Sequence, residues 1–303
     1  MSAERKVVWV LGAGFSQGLG GPLLKHLFRR GSVGDVSVRY SHFGKLSGPA
    51  VDRVRVLYEL GSTNEMVRPF VTGNEVQGEL LWEDAEQFID YLDTAAEPQK
   101  TGGTPQPLFD RLRLLQHKHF DGAEDINDLR TAARRLIAAE CSAFLEGVDV
   151  EQERWEPFRA WERELGADDT IVTFNYDRVV EKLRVARPAS KVEIIRPGSP
   201  DDLKNARDGK RCVLLKLHGS VDWKLVGGDK GHVEVMDKEP LFALDCPAAE
   251  IAIATPGPSK KRLTKHGSAF WDLWAEAKRA IGEASAVVFL GFRFPETDAA
   301  ARR

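Results

Sequence analysis

Two polar side chains that could do acid–base and ligand-positioning chemistry follow strand-like segments near the middle of the chain. Asn175 follows the apolar run 170–174, and His218 follows the apolar run 213–217. In an open parallel α/β sheet, ligands bind beyond the carboxyl ends of the strands. We therefore expect Asn175 and His218 to lie at the same edge of one sheet and to serve one site.

His218 carries the side chain that most often acts as a general base, since histidine titrates near neutral pH. Gly219 follows it directly, and a glycine there indicates close approach by a ligand or by another stretch of backbone. A histidine at a strand end is usually a structural residue with satisfied hydrogen bonds. Its coincidence with Asn175 at the same predicted edge favours catalysis instead.

Asn175 and Asp177 flank Tyr176 just beyond the strand. An amide carries a donor and an acceptor and no charge, so Asn175 suits the binding of a ribose hydroxyl or a water molecule. Asp177 has two interpretations, as the N-cap of a helix that starts at Arg178 or as a polar group of the site. Asn175 has no comparable capping explanation, so its functional interpretation is the stronger one.

A third strand end carries the sequence Gly-Ala-Gly-Phe-Ser at positions 12–16. Glycine allows a tight turn and a close approach to phosphate, and the following helix offers free N–H groups and the positive end of a dipole. Gln17 occupies the third glycine position of the dehydrogenase fingerprint, and no acidic residue ends a strand about twenty positions later. The segment predicts either a pyrophosphate site or a turn that serves backbone geometry alone.

The elements needed to position these residues alternate along the chain. Short apolar runs predict strands at 6–11, 170–174, 192–195, 213–217 and 286–290. Apolar residues at helical spacing predict helices at 22–30, 82–93, 128–148, 155–165, 177–183 and 270–281. This alternation favours an α/β fold with a doubly wound, Rossmann-like parallel sheet, in a single domain over 1–303.

Two stretches interrupt the alternation. Between the first and second strands, residues 31–150 contain amphipathic segments separated by clusters of glycine, serine, proline and charge, which predicts a large, mainly helical insertion. Residues 224–250 are predicted as a second, smaller insertion. No internal repeat or low-complexity tract is found in the sequence.

The composition excludes several classes of protein. A chain of 303 residues with 42% hydrophobic residues can form a sizeable globular core. The formal charge of -3, with acidic and basic residues mixed, provides no basic field for nucleic acid. No apolar stretch has the roughly 18 residues of a membrane helix, and no signal-peptide pattern opens the chain. The three separated cysteines form no disulfide framework or zinc pair, so we expect a cytoplasmic protein.

Taken in order, the motifs resemble the sirtuin superfamily. They are Gly-Ala-Gly-Phe-Ser at 12–16, Thr-Phe-Asn-Tyr-Asp at 173–177, Leu-His-Gly at 217–219 and Gly-Phe-Arg-Phe-Pro-Glu-Thr-Asp at 291–298. More narrowly, they are similar to the bacterial sirtuin-like proteins, many of which are anti-phage effectors that consume NAD. The segments 255–260 and 270–281 resemble the same branch, so the resemblance extends from about residue 6 to residue 300.

The resemblance implies roles for most of these residues. Asn175 would position the nicotinamide ribose and a water molecule, and His218 would act on the ribose hydroxyls. Asp177 would lie near the nicotinamide carboxamide, the segment 12–16 near the phosphates, and Gly291 near the adenosine. The implied cofactor-binding residues are Gly12, Ala13, Gly14, Phe15, Ser16, Asp177, Gly219 and Gly291.

Two departures from the family pattern matter. Sirtuin deacylases carry a zinc module with four cysteines after the histidine motif, but here only Cys246 follows His218. This argues against protein deacylation, and no metal is expected. Arg293 occupies a position where related sequences have serine, and a long cation there can pair with a phosphate or block part of the pocket. Glu296 and Asp298 belong to the motif without an assigned chemistry.

We expect from the residues and the resemblance a NAD glycohydrolase, with NAD as its substrate, that acts as a bacterial defence effector by depleting NAD. One alternative is a non-catalytic module that binds NAD or ADP-ribose as a sensor, and a less favoured one is a zinc-independent deacylase. A homo-oligomer or a regulatory protein partner is expected to control such an effector, with the insertion at 31–150 as the candidate surface.

Overall fold

The structure of the protein is a computed structural model that describes residues 5–29, 49–62, 82, 84–96, 126–186, 192–236, 246–247, 250–254 and 266–292. Within these ranges the chain forms eight strands. In chain order, β1 to β8 are Val7–Leu11, Thr170–Thr173, Val192–Ile194, Cys212–Lys216, Gly219–Val226, His232–Val235, Ile251–Ile253 and Ala286–Leu290.

Helices connect the strands within the same ranges. In chain order, α1 to α8 are Ala13–Gln17, Pro49–Gly61, Ala85–Ala96, Ile126–Ala143, Glu156–Arg163, Val179–Ala186, Pro200–Asp208 and Trp271–Glu283. Short 3-10 turns occur at Leu24–His26, Glu153–Trp155 and Gly228–Lys230. Among the helices described, none combines the length and the apolar character that crossing a membrane requires.

Five strands form one parallel sheet in the order β3-β4-β2-β1-β8. Leu11 pairs with Thr173 and with Leu290, and Thr173 pairs with Lys216. This register makes β1, β2, β4 and β8 end at the same level, and we call that side of the sheet the carboxyl edge. The segments that follow these strands, which carry the candidate residues, therefore emerge side by side.

Alternate side chains of a strand point to opposite sides of the sheet, and β1, β2 and β4 are buried on both faces. Val8, Val172 and Leu215 pack on one face in a cluster that includes residues of α8. Leu11 and Ile171 pack on the other face in a cluster that includes residues of α5 and α6. Continuous apolar strands are what a sheet covered on both faces requires, and the prediction of a doubly wound, Rossmann-like α/β fold is confirmed.

Three helices between β1 and β2 lie within the predicted insertion at 31–150. α2, α3 and α4 share a core in which the side chains of Val54, Tyr58, Trp82 and Phe88 are fully buried. The same core includes Tyr176, from the loop after β2, together with residues of β5 and β7. The helices thus pack directly on the loop that carries Asn175.

A second, antiparallel sheet has the strand order β6-β5-β7. Its strands span 219–253, so they begin before the small insertion predicted at 224–250 and end beyond it. The alternation of Val221, Trp223 and Leu225 with polar residues is typical of a half-buried strand, and the sequence prediction overlooked it. β5 begins immediately after His218, so this sheet adjoins the carboxyl edge.

The helix predicted at 22–30 is wrong for the part that the structure describes. The chain forms only the 3-10 turn Leu24–His26 there. Phe28 has a φ of 69°, which a right-handed helix cannot accommodate, and its N–H donates to a carboxylate oxygen of Glu140. A contact with a distant residue therefore overrides the local helical spacing.

Candidate active site at the carboxyl edge

The turn after β1 and the loop after β2 are joined by side-chain hydrogen bonds. Nδ2 of Asn175 donates to the carbonyl oxygen of Gly12 at 2.9 Å and to Oγ of Ser16 at 3.3 Å. Oγ of Ser16 donates to Oδ2 of Asp177 at 2.7 Å. Four of the predicted site residues therefore form one hydrogen-bonded unit.

The orientation of the Asn175 amide follows from its partners. A carbonyl oxygen can only accept a hydrogen bond, so Gly12 must face Nδ2 rather than Oδ1. Within the part of the chain that the structure describes, Oδ1 accepts no hydrogen bond from protein. The half-buried amide thus presents an acceptor of fixed orientation. It also stabilises the turn, which is a structural role that the sequence prediction did not consider.

Asp177 caps a helix, as one of its two interpretations predicts, and it also bonds to the glycine turn. Oδ1 accepts from the N–H of Val179, the first residue of α6, at 3.0 Å, as the capping interpretation requires. Oδ2 accepts from Ser16 and so connects the cap to the glycine turn. Burial raises the pKa of this carboxyl, against the opposing effects of the Lys216 ammonium and the Ser16 hydrogen bond. Both carboxylate oxygens of Asp177 therefore accept hydrogen bonds from the protein itself.

The glycines let the turn after β1 pack on the turn after β8. A Cβ on Gly12 would lie 2.6 Å from the carbonyl oxygen of Gly291, and a Cβ on Gly14 would lie 2.9 Å from its Cα. The N–H of Gly14 donates to Gly291 at 2.9 Å, and the N–H of Phe15 donates to Gly12 at 2.9 Å. Backbone geometry alone explains these glycines, and the N–H groups of Gly14 and Phe15 already have backbone acceptors.

The imidazole of His218 is surrounded by aromatic rings. Its centroid lies 4.9 Å from the ring of Phe174, edge to face, and 6.2 Å from the rings of Tyr176 and Trp274. The residue is only 3% exposed. Phe174 and Tyr176 flank Asn175 in the sequence, so the loop after β2 supplies both the amide and part of the surroundings of the imidazole. No hydrogen bond joins Asn175 to His218.

The close approach predicted at Gly219 is made by backbone rather than by a ligand. Gly219 has a φ of +85°, and a Cβ there would lie 1.9 Å from the carbonyl oxygen of Ala252. The N–H of Ala254 in turn donates to the carbonyl oxygen of His218 at 2.8 Å. The segment 252–254 therefore fixes the backbone at His218 and Gly219.

A group of charged residues behind the site was not predicted. Lys216 and Glu181 form an ion pair at 2.7 Å with both side chains buried. Nε of Arg178 lies 3.0 Å from Oδ2 of Asp222, whose other oxygen accepts from Ser220 at 2.5 Å. The available signal was a lysine inside the apolar run 213–217, because a charged residue is rarely fully buried without a partner.

A cavity of about 290 Å³ lies at the opposite edge of the sheet, where the strands begin. Val7, Thr170 and Val213 line it together with charged residues of α7 and α8. Arg207 and Arg279 in this lining pair with Glu276, and Arg279 also pairs with Glu283, both from the same lining. Because these charges neutralise one another, the cavity carries no comparable argument for a ligand.

Several candidate residues lie outside the described ranges, among them Arg293, Glu296, Asp298 and the segment 255–260. In the ranges that are described, no group of three or more histidine, cysteine or acidic residues has the geometry of a metal site.

A comparison with protein-family models finds no match to the chain, and a comparison with curated proteins finds none either. The chemistry of the site therefore follows from its own atoms, of which Oδ1 of Asn175 is the most informative.

Proposed function

We propose that the protein cleaves the bond between nicotinamide and ribose in NAD at the carboxyl edge of its parallel sheet. In this reaction nicotinamide leaves with the electrons of the C–N bond, and the sugar acquires oxocarbenium character at C1. Water then adds to C1 and loses a proton, which gives ADP-ribose. The reaction needs no redox step, and its main requirement is a polar site that holds a water molecule and the sugar.

The observation that carries this proposal is the fixed amide of Asn175. Nδ2 is held by Gly12 and Ser16, so Oδ1 can accept a hydrogen bond from the attacking water or from a ribose hydroxyl without first reorienting. Preorganised polar groups of this kind stabilise developing charge more effectively than mobile ones do. Asn175 would therefore place the water, and the glycine turn would place Asn175.

His218 would accept a hydrogen bond or a proton from a ribose hydroxyl or from the attacking water. The rings of Phe174 and Trp274 beside it exclude bulk water, which strengthens polar interactions in the site. Because His218 is only 3% exposed, the sugar reaches the imidazole only if neighbouring groups move. Substrate binding is thus expected to open this part of the carboxyl edge.

Asp177 would act through Ser16 rather than on nicotinamide directly. Nδ2 of Asn175 donates to Oγ of Ser16, which donates in turn to Oδ2 of Asp177. The donors in this chain all point the same way, and such chains of hydrogen bonds reinforce one another. This favours a supporting role for the carboxylate in place of the contact with the carboxamide that the family resemblance implies.

The test is the release of free nicotinamide from NAD by the purified protein. We expect turnover by the wild type and a loss on the order of 10²–10⁴ for His218→Ala, the usual effect of removing a general base. Asn175→Asp should fall by a similar order, because it sets an oxygen against the Gly12 carbonyl. His232→Ala, on the exposed start of β6, is the matched histidine control and should keep the wild-type rate.

Circular dichroism and thermal unfolding of each variant separate a lost site from a lost fold. Near-full turnover by a folded His218→Ala variant would remove the histidine from the mechanism. The absence of nicotinamide release by the wild type, with or without an acylated peptide, would reject both the glycohydrolase and the deacylase.

A second candidate is a module that binds NAD or ADP-ribose without cleaving it. The burial of His218 favours this reading, because a sensor needs no access to the imidazole. Calorimetric titration with NAD distinguishes the two functions: tight binding with no nicotinamide release supports the sensor. Binding followed by release supports the enzyme.

The cellular part of the proposal depends on the resemblance to bacterial sirtuin-like proteins. A glycohydrolase of that kind would deplete the cytoplasmic NAD pool as a defence effector and would be held inactive by assembly or by a protein partner. The helices α2, α3 and α4 pack on Tyr176, next to Asn175, so a partner bound to them has a direct route to the site. Expression of the protein in bacteria, with NAD measured before and after phage infection, tests this role.

A further inference from the structure

Lys216 is a charged residue at a place where the fold otherwise buries apolar side chains. It is the last residue of β4 and is 1% exposed. Nζ lies 2.7 Å from Oε1 of Glu181 and also donates to the backbone carbonyl oxygen of Asp177. Removing an ammonium from water costs free energy even when the ammonium is paired, so a buried lysine at this place requires a compensating role.

The two contacts join three elements at the back of the site. Lys216 ends β4 and stands two residues before His218, while Asp177 stands two residues after Asn175 in the loop that follows β2. Glu181 lies on α6, which starts where that loop ends. The ammonium therefore links the two backbone segments that carry the proposed catalytic side chains.

Other contacts hold the same loop to the second sheet instead. The N–H of Val221 donates to the carbonyl oxygen of Tyr176 at 3.0 Å, and the Tyr176 hydroxyl donates to Ala254 at 3.0 Å. These bonds fix the height of the loop above β5 and β7. Lys216 fixes its position relative to the strand that leads into His218.

We propose that Lys216 is a positioning residue of the site, which sets the distance between Asn175 and His218 through the carbonyl oxygen of Asp177. This inference rests on the proposed function. Glu181 has a different part, because it supplies the negative charge that lets the ammonium remain buried. The contact with the carbonyl oxygen of Asp177 orders the loop, and the contact with Glu181 offsets the cost of burying the ammonium.

The decisive variant removes both charges of the pair. Lys216→Met alone would leave Glu181 buried without a partner and would test only folding. Lys216→Met/Glu181→Leu replaces the pair by apolar groups of similar size, which is often tolerated, and removes the contact with Asp177. Glu181→Asp is the matched control, because it alters the pair but keeps a negative charge on the residue that faces the lysine, whose carbonyl contact stays in place.

We expect the double variant to unfold near the wild-type temperature and to lose about 10²-fold in kcat with little change in KM, as for a misplacement of about 1 Å. Glu181→Asp should stay within about threefold of the wild type, because its loop remains tethered. A purely structural ion pair would give the opposite pattern, with turnover recovered in the double variant.

Hydrogen exchange provides a readout that does not require turnover. Amides in the peptide 174–180, including the Val179 N–H bound to Asp177, should exchange faster in the double variant than in Glu181→Asp at equal global stability. Equal exchange in the two would overturn the positioning role, even if the wild type releases no nicotinamide. Should the apolar pair fail to fold, Lys216→Gln/Glu181→Gln supplies a second neutral pair whose shorter side chain does not reach Asp177, and the same difference is expected.

Discussion

Two carboxyl groups near opposite ends of the parallel sheet have pKa values shifted in opposite directions. Asp177 lies at the carboxyl edge, where burial raises its pKa. Glu276, on α8, lines the cavity where the strands begin. Burial acts on Glu276 in the same sense, but hydrogen bonds from Arg279 and Arg207 outweigh it and lower its pKa.

The difference lies in what surrounds each carboxylate. Arg207 and Arg279 both reach Glu276, and their side chains are 45% and 42% exposed, so the charges are paired and partly solvated. Asp177 has the neutral hydroxyl of Ser16 and a backbone N–H as its hydrogen-bond donors. The ammonium of Lys216 contacts the backbone carbonyl of Asp177 and the carboxylate of Glu181 instead.

Where the strands begin, the ion pairs of Glu276 therefore favour its charged form. At the carboxyl edge, burial disfavours the charged form of Asp177. Perturbed titratable groups cluster at functional sites, because the arrangement that shifts a pKa is also one that can act on a ligand. The contrast supports the carboxyl edge as the working end, although the cavity lies at the other. It also predicts that substitutions at the two ends of the sheet change the free energy of unfolding by different amounts and with different signs.

The largest difference is expected between two glycines that flank β8. Gly291 has a φ of +62°, and a Cβ there would lie 2.0 Å from the backbone nitrogen of Phe15. Gly291→Ala should cost about 3 kcal/mol from left-handed strain and overpacking. Gly282 lies near the end of α8 with no atom within 4 Å of an added Cβ, so Gly282→Ala should gain about 0.5 kcal/mol from helix propensity.

Urea unfolding of both variants measures these changes, provided that the m-values stay equal. A loss below about 1 kcal/mol for Gly291→Ala would mean that the crossing of the two turns adjusts easily. The glycines at 12 and 14 would then need a reason other than backbone packing, and the phosphate interpretation would gain support.

The parallel sheet could be predicted because its strands are apolar on both faces. β8 has the predicted bounds, β1, β2 and β3 differ from the predictions by one residue at one end, and β4 begins and ends one residue earlier than predicted. Runs of this kind carry their own signal, and the alternation with helices gives the order of the layers. The placement of Asn175 and His218 beyond neighbouring strands followed from the same reasoning.

The contacts that define the site could not be predicted, because they join residues far apart in the sequence. Gly14 donates to Gly291, and Nζ of Lys216 donates to Asp177, and in both cases the acceptor is a backbone carbonyl oxygen, which carries no side-chain signature. Asn175 looked like a residue with no structural role, yet its amide holds Gly12. Local spacing also gave no warning that Phe28 would adopt a left-handed conformation and end a helix.

Asp177→Asn should change the way in which the free energy of unfolding depends on pH. A carboxyl whose pKa is raised on folding contributes stability below its unfolded pKa, and that contribution is lost as pH rises through the folded pKa. Asparagine has no such loss. The stability of the variant relative to the wild type should therefore increase as pH rises above about 4. The altered hydrogen bonds add a pH-independent loss of about 1 kcal/mol.

Denaturant unfolding at several pH values measures this slope, and Ser16→Ala is the natural control, since it removes the hydroxyl partner but retains the titrating group. If the difference in unfolding free energy between Asp177→Asn and the wild type stays constant with pH, folding does not raise the pKa of Asp177. That result would also remove the electrostatic contrast between the two ends of the sheet.

The smallest effect is expected for Glu276→Gln, and its pH dependence should have the opposite sign. A carboxyl whose pKa is lowered on folding contributes stability above its unfolded pKa, and that contribution is lost as pH falls through the folded pKa. Because its arginine partners are nearly half exposed, screening limits the loss near neutral pH to about 0.5 kcal/mol. The deficit should shrink as pH falls below about 4 and when salt is added. A deficit that grows toward acid pH would contradict the contrast with Asp177, since folding would then raise the pKa of a carboxyl group at both ends of the sheet.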